Sequence, residues 1–179
     1  APVGFCSGST LVVPDGFAKI AWAVGNASDG DTVLIKAGTY FESQILVDKA
    51  ITIIGQDKAA TAVDGSGTAN GLFHVVAGNV VLENLTLRNT DPDPNHVSTA
   101  VQIVNAGSVR VRSIEIHDVV IGIQLQSSNS TEISYCRVKN VTNWGVHLRS
   151  SANNTITGST FEENFTALYL ADGQCEFNR

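Results

Sequence analysis

His147, Arg149 and Tyr169 are the residues whose types and spacing could do chemistry. His147 and Arg149 stand two apart in the alternating run Val146-His147-Leu148-Arg149, so in a strand they leave the same face. An arginine can neutralise a carboxylate, an imidazole can take a proton from a neighbouring carbon, and a phenol can protonate a departing oxygen. Arg149, His147 and Tyr169 would fill those catalytic roles in that order. Trp144, just before them, offers a flat surface on which a ring could stack. The bland alternative is a solvated β-face whose polar side chains bond across strands.

A repeat is what would bring Tyr169 beside His147. Val146-His147-Leu148 recurs as Phe73-His74-Val75, Val101-Gln102-Ile103, Ile123-Gln124-Leu125 and Leu168-Tyr169-Leu170. The successive middle residues are 28, 22, 23 and 22 positions apart. A second pattern, Leu82-Glu83-Asn84-Leu85-Thr86-Leu87-Arg88-Asn89, returns from Val111, from Ile133 and, more loosely, from Ile156, at separations of 29, 22 and 23. Two features sharing one period define a structural repeat. Alternation marks half-buried strands, and a unit of roughly 22 residues without a helix is too short for a βαβ crossover.

The fold this predicts is all-β: a single-stranded, right-handed parallel β-helix of about six to seven coils, rungs about 4.8 Å apart. One domain spans 1–179, with coils over 26–170 and residues 171–179 beginning an incomplete coil or leaving an open edge. An open stack needs a cap. Asp15 could N-cap a helix over 15–25 in which Phe17, Ile20, Ala21 and Val24 share a face and Gly25 is the stop. Runs at Thr32–Lys36, Gln44–Val47 and Ile51–Ile54 then read as first-coil strands. Asn89, Asp118, Asn140 and Asn164 fall at one turn and would bond along the stack as an asparagine ladder.

Outward residues of equivalent strands form files. One reads His74, Gln102, Gln124, His147, Tyr169; beside it stand Gln126 and Arg149. With Trp144 these make a long groove suited to an extended polymer, for which His74, Gln102, Gln124, Gln126 and Trp144 are the binding candidates. A second pair of files, Arg88, His117, Lys139, Glu162 and Thr86, Glu115, Arg137, Thr160, has the mixed signs of surface ion pairing. The lengthened coil holds Asp91-Pro92-Asp93-Pro94-Asn95-His96. Its Asp91, Asp93 and His96 could bind calcium or another cation, or simply make a rigid turn.

Composition narrows the partners. The chain is 43% hydrophobic and 16% charged, with a net charge of −6. That balance argues against nucleic acid or an anionic membrane surface, both of which ask for clustered Lys and Arg. No apolar run is long enough to span a bilayer. Cys136 falls in an apolar slot and reads as a buried thiol, while Cys6 and Cys175 would lie too far apart in a stack to bridge. A sequence that starts at Ala1 fits a mature secreted protein or a trimmed piece, and the expected location is extracellular or periplasmic.

The stretch Gly30-Asp31-Thr32-Val33-Leu34-Ile35-Lys36-Ala37-Gly38-Thr39-Tyr40, followed by Ile51-Thr52-Ile53-Ile54-Gly55-Gln56 and Asp64-Gly65-Ser66-Gly67, resembles the opening of pectin-lyase-like right-handed β-helix proteins. The resemblance covers nearly the whole chain. It implies a polysaccharide partner, since that superfamily holds polysaccharide lyases, polygalacturonases, pectin methylesterases, mannuronan epimerases and binding modules. An Asp-Asp pair of the polygalacturonase kind is missing. Trp144-Gly145-Val146-His147-Leu148-Arg149 echoes the epimerase pattern Tyr-Gly-Phe-Asp-Pro-His, with His147 at the Asp position and Arg149 at the His position. Three functions stay open: binding or processing of an acidic, plant- or algal-type glycan; a uronate lyase or epimerase using His147, Tyr169 and Arg149; and an assembly element that self-associates through its C-terminal strand edge.

Overall fold

The computed structural model describes residues 8–91, 93 and 95–171. The chain enters through β1 (Thr10–Val13) and α1 (Ile20–Asn26). It then winds through β2 (Thr32–Ile35), β3 (Gly38–Phe41), β4 (Ile45–Val47), β5 (Thr52–Gly55), β6 (Thr61–Thr68) and β7 (Phe73–Val75). The next coils are β8 (Val81–Glu83), β9 (Thr86–Thr90) and β10 (Thr99–Val104), then β11 (Arg110–Arg112) and β12 (Glu115–Gln126). Last come β13 (Glu132–Ser134) and β14 (Arg137–Arg149), then β15 (Thr155–Thr157), β16 (Thr160–Glu162) and β17 (Thr166–Leu170).

The strands stack into a parallel solenoid of about seven turns with three faces. The first face is the seven-stranded sheet β1-β2-β5-β8-β11-β13-β15. The second runs β3-β6-β9 and on through the leading halves of β12 and β14 to β16. The third runs β4-β7-β10, the trailing halves of β12 and β14, and β17. Because β12 and β14 turn the corner unbroken, the second and third faces are one hydrogen-bonded sheet.

Register turns the sequence period into a core. Val33, Ile53, Leu82, Val111 and Ile133 lie one above another and are all buried. Each such side chain contributes about 1.5–3 kcal/mol of apolar burial. Corner geometry selects small polar residues: Asn89, Asp118 and Asn140, between the second and third faces, have φ of 57°, 55° and 50°. That left-handed region is one that Asn and Asp tolerate better than most residues. Gly122 and Gly145 are required by close approach. A Cβ there would stand 2.3 Å and 2.6 Å from the carbonyl oxygens of Gly145 and Ala167 on the next rung.

The cap helix differs from its expected span. It starts at Ile20, not Asp15, whose carboxylate instead pairs with Lys36. The helix N-terminus is held by Glu42, which accepts from the backbone N–H groups of Ile20 at 2.7 Å and Ala21 at 3.0 Å. Ile20, Ala23 and Val24 face the core, as a plug requires.

The expected ladder is also corrected. Asn89 bonds to Asp64, and Asn140 to Asp118, as two separate pairs. Glu163, with φ 54°, takes the corner position in line with Asn140. Asn164 falls one residue later, where it accepts from the Val141 N–H at 3.1 Å and donates to the Val138 carbonyl at 2.9 Å. Buried Asn154 does the same work at another turn, accepting from Thr131 N–H and donating to the Ser128 carbonyl.

Cys136 is a buried free thiol pushed up to about 11 by desolvation. Cys6, Cys175 and residues 172–179 lie outside the described residues. β17 pairs only with β14 among the described residues. Its inward-register Leu168 and Leu170 are exposed there. No helix among the described residues is long and apolar enough to cross a membrane.

Candidate functional site

The third face carries the predicted file in register. Gln102 pairs with His74 on one side and Gln124 on the other; Gln124 pairs with His147, and His147 with Tyr169. Gln126 lies beside Arg149 in the neighbouring file. Strand alternation puts the flanking Val101, Ile103, Ile123, Leu125, Val146 and Leu148 inward, which turns the file outward, although neighbouring side chains cover Gln124 and His147.

A hydrogen-bonded relay runs along this file. The Gln102 amide nitrogen donates to Gln124 Oε1 at 3.1 Å, and the Gln124 amide nitrogen lies 3.1 Å from His147 Nδ1. With the amide nitrogen turned toward it, Nδ1 is the acceptor and the ring proton is assigned to Nε2. Burial, with the Arg149 charge adding to it, pushes the His147 pKa below its ordinary value, so the ring is neutral at pH 7. His147 is only 7% exposed, and its Nε2 has no hydrogen-bond partner among the described residues.

Aromatic rings gather around that imidazole. The Trp144 and Tyr169 rings stack with centroids 4.9 Å apart and planes 9° from parallel. His147 lies 4.4 Å from Trp144 and 5.3 Å from Tyr169, tilted against both. Tyr169 is exposed and Trp144 half-buried, so the pair forms a shelf at one end of the file. Arg149 is exposed two residues further along β14.

At the other end His74 and Gln102 line a cleft of about 410 Å³. Leu46, in register with His74, forms its apolar floor, and Val97 and Asn70 rise from loops beside it. Gln44, Leu46, Asn70 and Val97 were not among the sequence candidates. Leu46 could have been found from its outward place in the Gln44–Val47 run. Val97 follows directly on the lengthened coil, the one signal pointing to a cleft wall.

The structure does not gather the three cation candidates. His96 Nδ1 meets Asp91 Oδ2 at 2.7 Å, whereas Asp93 Oδ1 accepts from the backbone and side chain of Asn95. No group of three His, Cys, Asp or Glu residues converges as a metal site among the described residues. The charged files on the second face form ion pairs between rungs, Lys139 with Glu115 at 2.8 Å and Arg137 with Glu162 at 2.7 Å.

Residues 45–178 match the family model described as a right handed beta helix region. The chain belongs to that family. Solved structures of similar fold include an alginate lyase from Paenibacillus sp. str. FPU-7, at TM-score 0.70 and 16% identity. That match covers 86% of this chain and 58% of the lyase. The catalytic domain of a GH87 alpha-1,3-glucanase in complex with nigerose aligns at TM-score 0.71 and 20% identity, over 97% of this chain and 34% of that one. A polygalacturonase from Erwinia carotovora ssp. carotovora aligns at TM-score 0.56 and 13% identity, over 96% and 69%. The chain thus spans 34% to 69% of the length of these proteins. Their names are those of enzymes acting on polysaccharides. No curated protein matches the chain in sequence.

Proposed function

We propose that the third face binds a polysaccharide, laid along the stack from the His74–Gln102 cleft to the Trp144–Tyr169 shelf. The observation that carries this is the register itself: five outward residues in one file, a cleft at one end and stacked rings at the other. Amide and imidazole groups can exchange hydrogen bonds with sugar hydroxyls, and an aromatic face covers the apolar face of a pyranose. The exposed Arg149 favours a glycan with acidic units, a reading that goes with a location outside the cell or in the periplasm.

Binding is preferred over uronate lyase or epimerase chemistry because of the imidazole. Catalysis asks His147 to take a proton, yet its Nδ1 is occupied and its Nε2 already carries the hydrogen. Retention on immobilised pectate, alginate and neutral glucans, with Trp144→Ala and His74→Ala as variants, tests the proposal. Loss of retention in both variants supports it, and retention unchanged in both overturns it. Growth of ultraviolet absorbance on pectate or alginate, abolished in Tyr169→Phe, would establish the lyase instead. A dimer that dissociates on Leu168→Lys, without glycan retention, would favour assembly through the β17 edge.

A further inference from the structure

We propose that the first face carries a second, separate saccharide site, selective for neutral sugars, at the corner held by Tyr135. A cleft of about 410 Å³ lies over β13 and β15, away from the file described above. Its floor is a rectangle of four polar side chains: Glu132 pairs with Thr155, and Ser134 with Thr157. Residues two apart on a strand are separated by about 6.5 Å and rungs by about 4.8 Å, the footprint of a single pyranose ring. Asn153 stands at the other edge of the cleft.

Tyr135 is what sets this corner apart. Asn84, Ser113, Tyr135 and Gly158 occupy one position on successive rungs, with φ of 55°, 50°, 55° and 58°. Asn and Ser satisfy that left-handed turn at low cost, whereas a bulky residue is strained there, by about 1 kcal/mol or more. The turn therefore gives no reason for a tyrosine. The ring is nonetheless seated firmly. A Cβ on Gly158 would stand 2.8 Å from Tyr135 Cδ1 and Cε1, so the ring lies against bare backbone of the next rung. Tyr135 is 65% exposed, and its ring forms a fixed wall of the cleft.

The chemistry of the floor selects the ligand. Ser134 Oγ donates to Glu132 Oε1 at 2.9 Å, which orients the carboxylate. Glu132 Oε2 is ion-paired with Arg110 Nε at 3.8 Å, too long for a hydrogen bond, so the oxygen still accepts from a ligand. A carboxylate fixed by buried Ser134, beside the Thr155 and Thr157 hydroxyls and one aromatic wall, takes a sugar with neighbouring hydroxyl groups. Arg110 offsets part of that charge, and the acceptor facing the cleft disfavours a uronate relative to a neutral sugar.

The test uses the ¹⁵N-labelled chain titrated with cellohexaose and laminarihexaose as neutral probes and hexagalacturonate as the acidic one. The expected result is amide shifts confined to 130–135 and 153–158 with a neutral probe. These shifts persist in Trp144→Ala, weaken at least tenfold in Tyr135→Ser and Glu132→Gln, and are absent with hexagalacturonate. Tyr135→Ser copies the residue of the rung below, so its fold is retained; an unchanged thermal melt checks that. No shifts at these amides with either neutral probe, equal affinity in Tyr135→Ser, or equal binding of hexagalacturonate would each overturn the proposal. Shifts at His74, Gln102 and His147 report the third face separately, so failure of one site is distinguishable from failure of the other.

Discussion

Replacing Gln124 by Leu cuts the relay at its middle and leaves the volume nearly unchanged. Two hydrogen bonds disappear, from Gln102 and to His147 Nδ1, each worth about 1 kcal/mol net. Gln102 is half-buried and regains water, so its loss is small. His147 is almost wholly buried, and its Nδ1 is left without a donor, a cost of about 1–3 kcal/mol. Burying the leucine methyls offsets about 1 kcal/mol. The expected net destabilisation is about 2 kcal/mol, a shift of about 4–8 °C in melting temperature for a domain of this length. Urea unfolding followed by tryptophan fluorescence measures it. Gln126→Leu is the control: Gln126 is also outward on β12 and half-buried, and its change should stay within about 0.5 kcal/mol. In Gln124→Leu the imidazole also loses its preference for the proton on Nε2, visible in its ¹⁵N shifts. Equal stability of the two variants, with the tautomer unchanged, would refute the claim that the amide file holds the histidine.

Four further outcomes are expected. The His147 pKa is depressed in the folded chain, so protonation favours the unfolded state; stability is complete above 6.5 and falls as pH drops below it, and His147→Gln should flatten that fall in urea titrations. The exposed His96, raised by its bond to Asp91, acts in the opposite sense, its contribution being lost as pH rises, so Asp91→Asn should remove that opposing drift from the same titrations. Gly122→Ala drives a methyl to 2.3 Å from a backbone oxygen and should cost about 1–3 kcal/mol, with glycan retention falling alongside because Gln124 shares the strand; a melt and a retention assay read both. Cys136, buried with its thiol raised to about 11, should resist alkylation at pH 8 until the chain is unfolded, as peptide-resolved mass spectrometry would show.

What could be read from the sequence was whatever depends on period. Alternation and a 22-residue spacing suffice to put His74, Gln102, Gln124, His147 and Tyr169 in one file, because stacking register is set by coil length. Contacts between coils were not legible. Asp15 looks like a helix cap by local rule, but the carboxylate that reaches the helix belongs to Glu42, 22 residues after the Ile20 it caps. Asn164 looks like the partner of Asn140 until β16 is seen to end at Glu162, which gives the corner to Glu163. The His147 tautomer depends on which atoms touch, and no pattern of residue types encodes that. Whether Asp91, Asp93 and His96 form a cation site or a turn was not legible either; the contacts, Asp91 with His96 and Asp93 with Asn95, are those of a turn.

The lengthened coil has a consequence for how this surface could change. Gln102 and His74 remain aligned although 28 residues separate them, so the extra length is carried wholly outside the rungs. Closing a somewhat longer or shorter excursion there changes chain entropy by only about 0.6 kcal/mol per doubling. The segment before Val97 is in effect an exchangeable cassette. Its length and residues can be rewritten, and ligand preference with them, while the solenoid beneath stays as it is.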